Sequence, residues 1–236
     1  MDNEIFKKNK DMFLKTLLNL YLEVSKKDLK KLCVDSGSEM IDDCKIIFPF
    51  FDDFYMFDRT AVKIFKIVYQ IDSKISEHFA GNNKNNFAFI KKDHLFRKVT
   101  NDILDDYSSA LVLSYLNTAD GASVLEEWIT YSELKDGLFY AGTIPNTLKP
   151  LCSRYEIDLN GFLKKAETIG GIKSAQYKNA VVINPFNRFP IMFMLYEKDI
   201  EFGCEIKVLF SKSANHYLKT DVIKHILAQS VNRLLR

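Results

Sequence analysis

Residues 188–218, RFPIMFMLYEKDIEFGCEIKVLFSKSANHYL, constrain the fold more tightly than any other stretch. Ile191, Met192, Phe193, Met194 and Leu195 are apolar at consecutive positions. A strand sends successive side chains to opposite faces, so this run predicts an interior strand covered on both sides. A short buried helix could carry the same run. Pro190 at its start and the charged turn after it favour the strand. Glu205–Phe210 alternates instead, with Ile206, Val208 and Phe210 on one face, which predicts a half-buried strand. Residues 197–204 between the two are too many for a two-residue hairpin and predict a longer loop bent at Gly203.

Asp199 and Glu201 lie two apart in that loop and would share a face if it were extended. Two readings stand. They are solvated loop charges, the ordinary state of surface acids. Alternatively, they are a carboxylate pair that holds a cation or a proton at a sheet edge.

Residues 4–24 predict a helix with Phe6, Phe13, Leu17, Leu20 and Val24 on one stripe. Ser25-Lys26-Lys27-Asp28 predicts a cap for a second short helix ending near Cys33, and Ser36-Gly37-Ser38 a turn. KIIFPFF and FYMFD flank Asp52-Asp53 as a hairpin, with Pro49 marking an edge strand, and AVKIFKIVY supplies a third strand. GNNKNN at 81–86 is a polar loop flanked by His78 and His94, read as solvated histidines. Residues 100–117 predict a helix capped by Thr100, with Ile103, Tyr107, Ala110, Leu111 and Ser114 on its face. Leu125–Leu134 alternates as a strand. Pro145 opens a helix reaching about Tyr155, and another runs from near Asp158 to Gly170-Gly171. Tyr177–Asn184 predicts a strand. Residues 220–235 predict a last helix capped by Thr220, with Ile223, Ile226, Leu227 and Leu234 facing in.

Helices and short strands mix without regular βαβ alternation. The expectation is one α+β domain over 1–236, a mainly antiparallel sheet packed by helices, with an N-terminal helical segment over 1–35. Aromatics make up 13% of the 236 residues, which points to a large aromatic core. The net charge of +2 gives no footprint for nucleic acid or an anionic membrane. Cys33, Cys44, Cys152 and Cys204 form no CxxC and no Cys/His zinc spacing, so neither a zinc motif nor an iron–sulfur cluster is expected. The default is free thiols in a reducing compartment. MDNEIFKKNKDMF does not read as a signal peptide, and no apolar run has the length that spans a bilayer. The expected location is the cytoplasm.

TADG at 118, EEWITYSEL at 126, Gly137, Tyr140, IGG at 169, RFPIMFMLYEKDIEF at 188, KVLF at 207 and SANHYL at 213, in that order, resemble domain-of-unknown-function family 3786 of anaerobic bacteria and archaea. The resemblance covers residues 100–236, with a looser fit upstream. It assigns no reaction. It implies a setting in anaerobic metabolism, linked in some relatives to iron–sulfur modules and corrinoid-dependent one-carbon chemistry. Tyr196, Ile200 and Ser211 stand where the family pattern has Trp, an acid and Asp, which thins any acidic site.

Three functions remain open on these residues. The first is a module that binds a small molecule or serves a metabolic partner protein. Its candidate site comprises Trp128, Glu133, Tyr140, Arg188, Asp199, Glu201 and His216. Trp128 and Tyr140 would offer stacking surface, the carboxylates charge, and Arg188 an anion clamp. Against this, Trp128 reads rather as core, Glu133 and Arg188 as structural ion pairs, and His216 as a turn partner. The second is an enzyme using Glu133, Asp199 or Glu201 as acid or base, although no nucleophile elbow, metal motif or phosphate loop accompanies them. The third is a protein-interaction scaffold, whose mark would be an exposed apolar patch on the N-terminal helix.

Overall fold

The computed structural model describes residues 2–71 and 95–236, with side chains at 9–67 and 100–236. The GNNKNN loop, His78 and His94 lie outside the described residues. Seven helices and two five-stranded antiparallel sheets are present among the described residues, so the α+β expectation is met with two sheets rather than one.

The first sheet is a meander in chain order: β1 (Glu39–Asp42), β2 (Lys45–Phe50), β3 (Asp53–Asp58), β4 (Lys63–Ile71) and β5 (Leu95–Ile103). The expected hairpin forms, but its turn is Phe51-Asp52, one residue earlier than Asp52-Asp53, and Asp53 opens β3 opposite Phe50. The edge assignment for β2 is corrected: it lies between β1 and β3. Pro49 is tolerated because β1 pairs only as far as Ile47, so the missing N–H falls beyond its reach.

The second sheet has the order β6 (Trp128–Ile129), β10 (Glu205–Ser211), β9 (Phe189–Tyr196), β8 (Ala180–Phe186), β7 (Ile172–Lys173). β9 is central, and all of Ile191–Leu195 are buried, as an apolar run on both faces requires. On β10, Ile206, Val208 and Phe210 are buried while Glu205 and Lys207 are exposed.

The helices are α1 (Asp2–Lys26), α2 (Leu29–Ser36), α3 (Asp106–Thr118), α4 (Leu138–Ala141), α5 (Ile144–Arg154), α6 (Leu159–Thr168) and α7 (Thr220–Leu235). Three starts differ from expectation. Asp28, not Ser25, caps α2 by accepting from the Lys31 N–H at 2.8 Å, and the helix runs past Cys33 to Gly37. Gly37 closes it at φ 71°, a left-handed conformation natural to glycine. Residues 100–103 belong to β5, so Thr100 caps nothing. Its hydroxyl donates to the Lys66 carbonyl, and Asp105 caps α3 instead. Lys219 precedes α7, and the Thr220 hydroxyl donates to the Lys135 carbonyl rather than capping.

One buried cluster contains residues of both sheets and of every helix except α4. An aromatic column runs through it. Phe50 of β2 stacks on Phe186 of β8 at 5.2 Å, Phe186 on Tyr115 of α3 at 4.1 Å, and Tyr115 on Tyr217 at 6.1 Å. The Phe51 N–H donates to the Pro185 carbonyl at 2.8 Å, so main chain as well as rings joins the two sheets.

Candidate functional site

The stretch Leu125–Leu134 does not form the continuous strand that its alternation predicts. Only Trp128 and Ile129 pair with β10. The Glu133 carboxylate accepts from the Thr130 N–H at 2.8 Å and the Thr130 hydroxyl at 2.6 Å. These bonds hold its pKa below the ordinary carboxylate value. They wind Tyr131–Glu133 into a single 3₁₀ turn. The chain next turns tightly at Asp136-Gly137. A methyl group on Gly137 would lie 2.0 Å from the Tyr131 carbonyl oxygen, so no larger residue fits that approach.

This break opens the edge of β10. Phe210 pairs with Ile129, and the Lys212 N–H donates to the Glu127 carbonyl at 2.8 Å. Peptide groups of alternate residues face the same side of a strand. Those of Val208 and Ile206 therefore face the same way, towards positions that Tyr131 and Glu133 would have filled had β6 continued. A cleft of about 630 Å³ lies there. Its walls are Cys204 with β10 from Glu205 to Leu209, the Thr130–Ser132 turn, and α5 with Ile144, Leu148 and Cys152. Asn146, Lys149 and Lys207 add polar and cationic groups.

A smaller hollow of about 340 Å³ lies beyond the same turn, lined by Lys135, Asp136, Tyr140, Asn215, Lys219, Thr220 and Asp221. Beneath it is a fully bonded seam. The Tyr131 hydroxyl donates to the Thr220 carbonyl at 2.7 Å. The Asn215 amide donates to the Thr220 hydroxyl at 2.9 Å, and its oxygen accepts from the Lys135 N–H at 2.9 Å.

The seven residues singled out in the sequence do not gather in one place. Trp128 is half-buried and packs against Ala180, Met192 and Met194 on one face of the second sheet. Glu133 holds the turn just described. Tyr140 borders the smaller hollow, with the Lys224 ammonium 5.2 Å from its ring centre. Arg188 donates to the Gly121 carbonyl at 3.2 Å, and His216 meets the Asp120 carboxylate at 2.7 Å, so the Asp120-Gly121 turn brings these two near each other. That contact holds the Asp120 carboxyl below its usual range. Asp199 accepts from the Glu201 and Phe202 N–H groups at 2.8 and 2.7 Å, closing its own loop, and Glu201 is exposed. Among the described residues, no three His, Cys, Asp or Glu side chains gather as metal ligands would.

Sequence reasoning missed the cleft. Its residues come from 130–152 and 204–209, and no local spacing links them. One signal was present: Thr130 followed by Glu133 is a capping-box pattern, which argues for a turn against the alternation around it.

Fold and site together define an α+β protein of two antiparallel sheets with an open cleft beside an interrupted edge strand. The chain belongs to the family described as Domain of unknown function (DUF3786), whose model matches residues 68–233. α1, α2 and β1 to β3 precede the matched range. No curated protein and no solved structure was found to match the chain. No helix among the described residues is long and apolar enough to cross a membrane.

Proposed function

We propose that the protein is a binding module and that the cleft beside β10 is its ligand site. The observation that carries this reading is the interruption of β6. It leaves the peptide groups of Ile206 and Val208 facing a cleft whose volume lies within the ordinary range of ligand sites, about 300–1,000 Å³. A ligand there meets amide donors and acceptors along the β10 wall and apolar Ile144 and Leu148 on the α5 wall. It is therefore a molecule that combines amide-like groups with an apolar body. The metabolic setting implied by the resemblance, anaerobic and linked to corrinoid or iron–sulfur chemistry, is part of this proposal.

The test is thermal unfolding against a panel of metabolites and short peptides, with native mass spectrometry of protein purified without oxygen. Asn146 is exposed at the cleft, so Asn146→Trp fills it without disturbing the core. A ligand that raises the melting temperature of the wild type but not of Asn146→Trp supports the site. An equal rise in both would place binding elsewhere and reject it.

A second reading rests on α1. Met12, Leu14, Leu18 and Leu22 are 64%, 40%, 54% and 44% exposed, which is the apolar surface a protein-interaction scaffold needs. Light scattering across a concentration series tests self-association through that face. A monomer at all concentrations, unchanged by Leu18→Glu, removes a second copy as its partner.

A further inference from the structure

The cleft follows the edge of a strand. Five consecutive residues of β10, Glu205 to Leu209, line it. Their side chains alternate between the two faces of the sheet, so a space that meets all five runs along the edge and not over one face. β9 takes the other edge of β10 from Glu205 to Phe210. β6 pairs with the cleft edge only at Phe210 and Ser211. Among the described residues, nothing hydrogen-bonds the cleft-side peptide groups of Ile206 and Val208.

The ladder that β6 begins fixes what can continue it. Phe210 stands opposite Ile129 and the Lys212 N–H donates to the Glu127 carbonyl, so a strand added here runs antiparallel to β10. In the same register its residues fall opposite Leu209, Val208, Lys207, Ile206 and Glu205, in that order. Residues directly opposite each other send their side chains to the same face. Ile206 and Val208 are buried in the main cluster with Ile144 and Leu148 of α5. Lys207 and Glu205 are exposed on the other face. The added residues opposite Val208 and Ile206 therefore point towards α5, which suits apolar side chains. The residue between them faces the Lys207 ammonium, which suits an acid, and the one opposite Glu205 suits a base. Lys207 is only loosely held, 3.9 Å from the Glu205 carboxylate and 5.1 Å from the centre of the Tyr196 ring.

We propose that the ligand of this site is an extended peptide segment of a partner protein, patterned apolar–acidic–apolar–basic, which adds to β10 as an antiparallel strand where β6 breaks off. This rests on the reading of the cleft as the binding site. Main-chain bonds to Ile206 and Val208 supply attachment, and the alternating side chains supply the choice of sequence. The Thr130–Ser132 turn and α5 wall the edge, which suits a single short strand.

The test uses the full wild-type chain, isotope-labelled for NMR, and a blocked pentapeptide, acetyl-Thr-Val-Glu-Val-Lys-amide. The peptide should shift the Ile206 and Val208 amide signals and slow their exchange with solvent. Methylating both valine nitrogens removes the two N–H groups that donate to the Val208 and Ile206 carbonyls, and should weaken binding about tenfold or more. Methylating the glutamate nitrogen, which faces away from β10, should leave binding unchanged. Exchanging the glutamate and lysine of the peptide should weaken binding about two- to fivefold, and Lys207→Glu should cancel that difference. Equal binding of the methylated and unmethylated peptides, or no change at Ile206 and Val208 with millimolar peptide, overturns the proposal. A small molecule that Asn146→Trp blocks, while the peptide leaves those two amides unmoved, rejects the added strand and keeps the cleft as the site. A ligand that Asn146→Trp does not affect sinks both. Shifts of the same amides with protein concentration alone would put a second copy of this chain on the edge and also overturn the proposal.

Discussion

α1 and α7 carry similar apolar stripes in sequence, yet they stand in opposite relation to the core. In α7, Ile223, Ile226, Leu227 and Leu234 are fully buried against α5, α3, α6 and β8. α1 packs mainly on α3, and its buried apolar residues among those described are Leu17 and Val24. Phe13, on the same expected stripe, is 36% exposed. A stripe at helical spacing therefore shows which face of a helix can be buried. How much is buried depends on how many neighbours the fold supplies.

The largest test of that contrast is Leu227→Ala. The side chain is enclosed on all sides, so its loss leaves a cavity and costs about 2–5 kcal/mol, read as a lower denaturant midpoint. A cost below about 1 kcal/mol would mean that α7 is not packed on all sides in solution.

The seam that anchors α7 to the turn after β6 comes next. Tyr131→Phe removes the hydroxyl's bond to the Thr220 carbonyl, which keeps its place in the helical ladder of α7. The expected loss is that of one hydrogen bond, about 0.5–1.5 kcal/mol. Unchanged unfolding would show that the seam does not hold the helix.

Alkali gives a smaller effect in the same region. Burial raises the Tyr131 and Tyr55 hydroxyls to about 12. The folded protein thus disfavours their ionised forms. Their contribution is fully present below the unfolded tyrosine value of about 10 and is lost as pH rises from there to about 12. Absorbance of tyrosinate should show these groups titrating together with unfolding. Ionisation of every tyrosine near pH 10 with the fold intact would contradict their burial.

The smallest effect belongs to α1. Leu18 points to solvent, so Leu18→Ala should change stability by no more than about 0.5 kcal/mol. A larger loss would mean that something covers this face in solution, which sharpens the contrast with α7 by showing that α1 finds its neighbours in another molecule.

The strands of the second sheet were legible where the pattern left no choice. Five consecutive apolar residues can only be satisfied by cover on both faces, and β9 has it. β10 alternates and is half-buried. The errors share one cause. At Thr100–Ile103 a threonine and nearby aspartates resemble a helix start, but β4 supplies strand partners and the chain stays extended. At 130–134 the alternation suggests a strand, but the Glu133 carboxylate satisfies Thr130 locally and the ladder ends. In each case two local structures were open to the residues, and hydrogen bonds that the pattern did not show decided between them.

The candidate site was less legible for the same reason. Glu133, Tyr140, Arg188 and His216 do take part in specific contacts, but in separate ones, because each is satisfied by its nearest partner. The cleft joins segments some fifty residues apart.

By itself, the sequence determined the α+β class, the buried strand run 191–195, the half-buried strand 205–210 and the inward face of α7, because apolar periodicity acts within a few residues. Tertiary structure alone decided the division into two sheets, the early end of β6 and the open edge of β10. Those features depend on which distant segments supply hydrogen-bond partners and cover, and local pattern carries no record of that choice.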